Sequence, residues 1–358
     1  IIKNKKRLLM KKIVFNGKLL LRDEKRGVYR YTYEILKSID KLIDNTNIEI
    51  EIIVPNVNRE IPKFDNIKVI KYGRKNVFKC WQYIDYQYYI LKNNVIPVSL
   101  SPDLASIVRK GINTFHDMRI EHRMKEKMDI KSFFKYLIFF IRNYIVIKRS
   151  KYLIFVSDFV RNEFINYYNI EKEKTVVVYN AWQHLLNVSF DEKKLIIKYK
   201  KILEKDFYFY IGGQEKNKNI KWILEVAKKN KKDLFIIAGP VNRIIDNNIN
   251  NLIYIGYITD EEMAFFMKKC KAFVFPSIYE GFGIPPLEAL YFGSKVICSD
   301  RSCLPEIYKN YVIYINPYNY NINLDELVDM KVEDAKNLLK LYSWDRSAEI
   351  ILDIIKRQ

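Results

Sequence analysis

Two acidic residues frame a glycine-containing loop in the last third of the chain, Glu280 and Glu288, with seven residues between them. Carboxylates accept hydrogen bonds from hydroxyl groups, so this pair suits a hydroxyl-rich ligand such as a sugar. Gly281 and Gly283 lie between the acids and would let a ligand approach the backbone closely. The alternative is a solvated Glu280 and a Glu288 that the helix dipole favours. The acids and glycines taken together favour ligand binding.

A helix is predicted to begin between these acids, because a proline in the first turn loses no hydrogen bond and Pro285-Pro286 stands there. The apolar run Ala272–Phe275 predicts a buried strand before the loop, and Lys295–Ser299 predicts another after the helix. A helix start behind a glycine loop points unpaired N–H groups outward, and such groups suit a phosphate. The sequence therefore predicts a site for sugar rings on either side of a diphosphate.

Lys218 precedes a second predicted helix, Ile220–Lys229, and follows the glycine pair Gly212-Gly213. A helix dipole disfavours a cation at this end unless an anion is bound there. Lys218 is therefore predicted to contact the diphosphate. A solvated lysine in a lysine-rich chain is the alternative.

Two features of the first half point to the same kind of ligand. Gly27 follows a predicted strand at Lys12–Asn16 and begins a helix, which repeats the phosphate-binding arrangement. A later strand ends in His116-Asp117, at the strand end where α/β sheets bind ligands. His116 could hydrogen-bond a sugar or transfer a proton, whereas Asp117 is expected to orient the loop. The alternatives are a plain helix start and a histidine that only satisfies its neighbours.

Strands and helices alternate in both halves of the chain, which predicts an α/β protein of two doubly wound domains. The 358 residues suffice for two cores. The crossover between the domains is placed around Trp182–Glu192, and Met10 is taken as the natural start. The aromatic and basic segment Met124–Arg149 is expected to form a core helix of the first domain, with an interfacial amphipathic helix as the alternative.

The composition restricts the partners. The chain is 49% apolar and 29% charged, which is typical of a soluble globular protein, and its net charge is +20. The lysines are scattered and no nucleic-acid-binding motif is present, so the charge favours an anionic membrane surface over nucleic acid. Neither a secretory signal nor a run of about 20 apolar residues is evident. We expect a cytoplasmic protein, peripheral on the inner face of the membrane.

Ten residues from Glu280, E-G-F-G-I-P-P-L-E-A, resemble the E-x7-E signature of retaining nucleotide-sugar glycosyltransferases of the group 1 (family 4) class with the GT-B fold. The likeness extends to Asn251–Asp260, Ala272–Ser277 and Leu304-Pro305-Glu306. Within this class the chain looks like the bacterial mannosyl-, rhamnosyl- and related transferases that build surface polysaccharides.

The resemblance implies two Rossmann-like domains that face each other across a cleft. Residues 10–182 would form the N-terminal domain on the acceptor side, and residues 183–341 the domain that binds the nucleotide-sugar donor. Residues 342–358 would form a C-terminal helix that packs back across the cleft.

The resemblance also implies roles for individual residues. Glu280, His116 and Lys218 would be catalytic. Contacts with the donor would come from Gly27, Tyr257, Phe282, Gly283, Ile284, Leu287 and Glu288. The chain departs from the family at Gly213, where an arginine is usual, and Lys216 is the candidate replacement. The other two histidines, His122 and His184, receive no role.

The implied reaction moves a hexosyl group from a nucleotide diphosphate sugar to a hydroxyl acceptor, with retention at the anomeric carbon. The acceptor would be a lipid-linked or growing glycan, and the leaving phosphate would take its proton in a front-face substitution. The sequence has no D-x-D triplet, so no metal is expected, and the nucleotide sugar serves as co-substrate without a further cofactor. The alternatives are a nucleotide-sugar 2-epimerase, a glycogen-synthase-type polymerising enzyme and a catalytically dead basic binding protein.

Overall fold

The computed structural model of the chain describes residues 12–23, 27–43, 48–78, 80–124, 129–240 and 249–357. These residues divide into two compact units. The first unit contains the described residues up to Tyr179 together with those from Trp344 onward, and the second runs from Asn180 to Ser343. The predicted start at Met10 lies outside the described residues.

The first unit is an α/β layer structure in which helices flank a parallel sheet. Its strands are β1 (Lys12–Asn16), β2 (Glu49–Pro55), β3 (Lys68–Tyr72), β4 (Ile96–Ser99), β5 (Gly111–Phe115), β6 (Ser150–Phe155) and β7 (Thr175–Val177). Its helices before residue 179 are α1 (Val28–Leu42), α2 (Asp85–Asn93), α3 (Arg119–Met124), α4 (Ile130–Arg149) and α5 (Asp158–Tyr168). The strand order is β3-β2-β1-β4-β5-β6-β7. Ile13, Val14 and Phe15 of the inner strand β1 are buried, as expected for a parallel sheet covered on both faces.

The second unit repeats this architecture with six parallel strands. They are β8 (Phe207–Ile211), β9 (Leu234–Ala238), β10 (Leu252–Gly256), β11 (Ala272–Phe275), β12 (Val296–Ser299) and β13 (Ile313–Ile315). The helices are α6 (Glu192–Tyr199), α7 (Ile220–Lys229), α8 (Asp260–Lys269), α9 (Ile284–Tyr291), α10 (Leu304–Tyr308), α11 (Leu324–Asp329) and α12 (Ala335–Leu341). The strand order is β10-β9-β8-β11-β12-β13. Both sheets therefore have the doubly wound order of Rossmann-like domains, and the predicted fold class is confirmed.

The last helix, α13 (Trp344–Lys356), belongs to the first unit, where it packs on α1. Ser38 in α1 donates a hydrogen bond to Asp345 over 2.6 Å, and Ser347 donates to the carbonyl of Tyr179 over 2.7 Å. The chain thus returns to its first unit after completing the second.

The expectation that the segment from Met124 to Arg149 forms a core helix is wrong. Helix α4 begins at Ile130 with Asp129 as its N-cap, which accepts a hydrogen bond from the Ser132 N–H over 2.9 Å. Only Asn143, Val146 and Ile147 in this helix are buried, and residues 125–128 lie outside the described ranges. Apolar residues nearly fill the helix, so their periodicity could not show which side packs against the unit. Across the described residues, no helix combines the length and the apolar character that crossing a membrane requires.

Candidate functional site

The loop between β11 and α9 is held in place by a glycine that no other residue could replace without strain. Gly283 has φ +77°, and a Cβ added to it would lie 2.8 Å from Cδ2 of Leu304. The Tyr308 hydroxyl donates a hydrogen bond to the Gly283 carbonyl. Positive φ and this close approach both favour glycine.

Helix α9 starts at Ile284 without a side-chain cap. The four N–H positions at a helix start have no partner within the helix, and here Pro285 and Pro286 occupy two of them without an N–H. The donors at this helix start are therefore limited to the backbone N–H groups of Gly283 and Ile284. Such donors, together with the helix dipole, suit an anion.

Beside this helix start, Lys218 and Glu280 form an ion pair. The Lys218 Nζ lies 2.7 Å from Oε1 of Glu280, and their side chains are 24% and 11% exposed. The same Nζ lies 5.6 Å from the centre of the Phe275 ring at the end of β11. Backbone contacts fix Glu280, since its N–H donates to Ser302 Oγ over 3.1 Å and its carbonyl accepts from the Cys303 thiol over 3.3 Å. The structure therefore brings together two of the predicted catalytic residues.

Asn219 explains how Lys218 reaches this loop. It adopts a left-handed conformation with φ +52° immediately before α7. Its side-chain amide donates to the carbonyls of Pro276 over 3.1 Å and Pro317 over 2.9 Å. Asparagine tolerates left-handed backbone better than most residues, so it can both redirect the chain and bridge two loops.

The preceding short 3-10 turn, Lys216–Lys218, is tied to the same loop. The side-chain amide of Asn217 donates to the Tyr279 carbonyl over 3.0 Å, and the Ile278 N–H donates to the Asn217 carbonyl over 2.8 Å. Sequence reasoning missed both asparagines, although K-N-K-N before a predicted helix contains the signal of a left-handed turn residue. Lys216 is exposed at the start of this turn, and its proposed replacement of an arginine stays a prediction.

Glu288 in α9 pairs with His184, a residue to which sequence reasoning assigned no role. The His184 Nε2 lies 2.8 Å from Oε1 of Glu288, and the two side chains are 1% and 9% exposed. The flanking residues anchor this segment, because Trp182 donates to the Leu339 carbonyl over 2.9 Å and Gln183 to the Tyr342 carbonyl over 2.8 Å. The partners stand 104 positions apart in the sequence, so no local pattern could have revealed the pair.

The other predicted donor-binding residues of the second unit differ in exposure. Phe282 and Leu287 are buried, and the Phe282 ring meets Tyr342 edge-on at 5.5 Å between ring centres. Their side chains therefore support the loop and helix from within the unit. Tyr257 is 68% exposed and follows β10, which is separated from β11 by β9 and β8. It precedes Thr259, which forms a capping box of α8 with Glu262.

In the first unit, His116 follows the end of β5, as predicted. Its Nε2 lies 2.8 Å from the Leu100 carbonyl, and its ring meets Tyr31 edge-on at 4.8 Å between centres. A carbonyl only accepts, so Nε2 carries the hydrogen and donates, which leaves Nδ1 as an acceptor in the neutral ring. Burial lowers the pKa of His116 from its usual value, although the hydrogen bond to Leu100 opposes this. Asp117 accepts from the N–H and Nε of Arg119 and so orients the loop.

Gly27 is the N-cap of α1 and has φ +56°. A Cβ at this position would meet no described atom within 4 Å. The requirement for glycine therefore comes from the backbone conformation and not from lack of space. Within the described ranges, no group of three or more His, Cys, Asp or Glu side chains is arranged to hold a metal ion.

Residues 191–347 match the family described as "Glycosyl transferases group 1". Among curated proteins, the O-antigen chain mannosyltransferase RfbU of Salmonella typhimurium is 27% identical over an alignment of 267 residues that covers 68% of this chain and 69% of the relative. Two further curated relatives match over 61% and 62% of their own lengths, so nearly two fifths of each of these two relatives is not covered.

Solved structures share the fold. Sucrose-phosphate synthase from Thermosynechococcus elongatus has a TM-score of 0.72 at 12% identity and covers 97% of this chain and 98% of its own. Anabaena Alr3699/HepE in complex with UDP-glucose has a TM-score of 0.68 at 13% identity and covers 97% of this chain and 100% of its own. At these identities the likeness concerns the fold, which is GT-B, as the resemblance implied.

Proposed function

We propose that this chain, whose residues 191–347 match the group 1 glycosyltransferases, transfers a hexosyl group from a nucleotide diphosphate sugar. The proposed acceptor is a hydroxyl group of a lipid-linked or growing glycan in surface polysaccharide synthesis. The name of the Salmonella relative, an O-antigen chain mannosyltransferase, supports both the hexosyl group and this acceptor class. The UDP-glucose complex of the Anabaena structure supports a nucleotide sugar as donor.

The observation that carries the proposal is the 2.7 Å contact between Lys218 and Glu280. An ammonium group binds an anion, and a carboxylate binds hydroxyl groups. Since the two groups touch, one ligand that satisfies both must carry its anion and its hydroxyls only a few bonds apart. A sugar 1-diphosphate has this arrangement, because the phosphate is attached to the sugar ring itself.

The start of α9 adds the second phosphate contact. The N–H groups of Gly283 and Ile284 are proposed to bind the diphosphate, and Glu288, four residues further along the helix, to bind the ribose hydroxyls. His184 is proposed as a positioning residue, because its 2.8 Å contact fixes one oxygen of the Glu288 carboxylate. Tyr257 completes the proposed donor contacts, and Phe282 and Leu287 would contribute through the loop and helix that their buried side chains support.

The proposed chemistry is retaining substitution on one face of the sugar. The bond from the anomeric carbon to the diphosphate oxygen breaks, and a bond from that carbon to the acceptor oxygen forms. The acceptor proton moves to the departing phosphate oxygen. Lys218 and the helix-start N–H groups stabilise the negative charge that develops on the diphosphate, a contribution of the order of 10²-fold in rate per donor. No metal and no additional cofactor are part of this proposal.

Glu280 is proposed to hold the donor sugar through its hydroxyls and to stabilise positive charge at the anomeric carbon. His116 is proposed to bind the sugar through its neutral ring, and Gly27 to contact the donor through the α1 helix start. The lowered pKa of His116 keeps the ring neutral at pH 7, so Nδ1 can accept a hydrogen bond from a sugar hydroxyl.

The proposal is tested by turnover of variants with matched controls. Lys218→Met and Glu280→Gln should each lower turnover of the nucleotide sugar by about 10²-fold. Lys229→Met, at the far end of α7, and Glu261→Gln, exposed in α8, control for loss of charge alone. Wild-type turnover in either site variant would show that this site does not carry the reaction.

Product analysis by mass spectrometry distinguishes the proposed transfer from related reactions. Transfer attaches one sugar to the acceptor, a 2-epimerase isomerises the sugar without an acceptor, and a polymerising enzyme extends a long chain. Only the first product agrees with the proposal.

A further inference from the structure

Helix α4 carries a continuous apolar stripe on its exposed side. Its large apolar side chains recur at the i, i+3, i+4, i+7 spacing of one helix face. The exposed members are Ile130 (78%), Phe133 (41%), Phe134 (58%), Ile138 (64%), Ile141 (48%), Tyr144 (47%) and Ile145 (38%). Single exposed apolar residues are ordinary, but a contiguous set marks an interaction surface.

The opposite side of α4 attaches the helix to its unit. Asn143 donates to the buried Glu121 over 3.0 Å, and Val146 and Ile147 are buried. Arg142 forms an ion pair with Asp103. The helix is therefore anchored by one narrow face, and its exposed stripe is available in the folded protein.

The charges of α4 have one sign. The helix contains Lys131, Lys135, Arg142, Lys148 and Arg149 and no acidic residue. Successive residues advance by about 100° around a helix, so Lys131, Lys135 and Arg149 follow one flank of the apolar stripe. Arg142 lies on the same flank, but its side chain is 10% exposed and pairs with Asp103, so the other three cations are the ones available to a partner. An apolar face beside a row of cations is complementary to a partner that has an apolar interior and a negatively charged surface.

We propose that α4 lies in the plane of an anionic lipid bilayer, with its apolar stripe among the acyl chains and its cations at the phosphate headgroups. Interfacial helices bind in this way through apolar burial and attraction to anionic lipids. At 1.5 Å per residue, the 20 residues of α4 would extend about 30 Å along the surface. The net charge of +20 strengthens the attraction.

The charge pattern disfavours a second copy of the chain as the occupant. Pairing of two identical α4 faces would bring rows of like charge together. The cores of protein interfaces are also depleted in lysine, whereas lipid headgroups attract it. The purpose of the contact, to reach a lipid-linked acceptor, rests on the proposed function, but the contact itself does not.

The test is flotation of the full chain with vesicles, which needs no turnover. Binding to phosphatidylcholine vesicles that contain phosphatidylglycerol should exceed binding to phosphatidylcholine alone and should weaken as salt is added. Lys131→Gln/Lys135→Gln should lower the partition coefficient by roughly a factor of five for each charge. Ile138→Ser/Ile141→Ser should lower it by at least about tenfold.

Matched controls come from α6, an exposed helix of the second unit. Ile196 and Ile197 are 41% and 76% exposed, and Lys193 and Lys194 are exposed beside them. Ile196→Ser/Ile197→Ser and Lys193→Gln/Lys194→Gln should leave vesicle binding unchanged.

Four outcomes would overturn the inference, three of them in vesicle binding. Those three are no vesicle binding by the wild-type chain, equal binding to neutral and anionic vesicles, and equal losses in the α4 and α6 variants. A dimer that light scattering detects in the wild type and that Ile138→Ser/Ile141→Ser abolishes would assign the stripe to self-association instead. Because turnover of a nucleotide sugar is measured separately, failure of this inference leaves the proposed function intact.

Discussion

Gly283→Ala should destabilise the second unit more than the same change at another glycine with the same backbone conformation. Gly283 has φ +77° and Gly293 has φ +82°, so alanine at either position meets the left-handed penalty of about 1–2 kcal/mol. Only at Gly283 would the new Cβ lie 2.8 Å from Cδ2 of Leu304, whereas the space around Gly293 is open. Leu304 is fully buried, so displacing it should add about 1–3 kcal/mol.

The expected loss in the free energy of unfolding is therefore about 2–5 kcal/mol for Gly283→Ala and about 1–2 kcal/mol for Gly293→Ala. For a unit of this size each kcal/mol lowers the melting temperature by roughly 2–4 °C. Thermal unfolding, followed by calorimetry, measures both variants under one condition. Leu304→Val removes the clashing methyl carbon. The loss in the free energy of unfolding that it causes should therefore be smaller in the Gly283→Ala background than in the wild type. Equal melting temperatures for the two glycine variants would refute the proposed clash with Leu304.

Three further predictions concern single side chains. His184→Phe should raise the KM for the nucleotide sugar with little change in kcat, and His184→Gln, which can still hydrogen-bond Glu288, should restore most of the lost affinity; equal KM values in both variants would contradict the positioning role. Asn219→Ala should lose more stability in denaturant unfolding than Asn219→Gly, because both lose two hydrogen bonds but only alanine strains the left-handed backbone. The pKa of His116 is lower in the folded state than in the unfolded state, so the unfolded chain binds the proton more readily. The free energy of unfolding should therefore decrease as pH falls below about 6.5. The decrease in melting temperature from pH 7.5 to pH 5.5 should therefore be larger for the wild type than for His116→Gln. Equal decreases in the two proteins would contradict burial as the cause.

The sequence predicted most of what depends on neighbouring residues. Continuous buried runs such as Lys12–Asn16 and Ala272–Phe275 are strands with the predicted bounds. The helix start behind Gly283 also follows from local spacing. Such features need only a few adjacent residues to be recognised.

Contacts between distant segments could not be predicted in the same way. Lys218 and Glu280 are 62 positions apart, and their direct pairing depends on the asparagines that tie the two loops together. The His184 contact with Glu288 depends on a segment with no local signal. For α4, the sequence pattern showed many apolar residues. It did not show that most of their side chains would remain exposed in the first unit.

The proposed donor site is tested most directly by titration calorimetry, which compares binding of the complete nucleotide sugar with binding of its nucleoside diphosphate alone. First, thermal shifts with UDP-, GDP-, ADP- and dTDP-sugars identify a donor, since ligand at about 100 times its Kd adds ~2.7 kcal/mol of stability. Binding of that nucleotide sugar and of its nucleoside diphosphate is then measured for the wild type, Lys218→Met and Glu280→Gln.

Lys218→Met should weaken both ligands, because both contain the diphosphate. Glu280→Gln should weaken only the nucleotide sugar, by roughly 10–100-fold, because a hydrogen bond to a charged group contributes about 1.5–3 kcal/mol. If Glu280→Gln weakens both ligands equally, or neither of them, Glu280 does not bind the sugar and the proposed donor site is wrong.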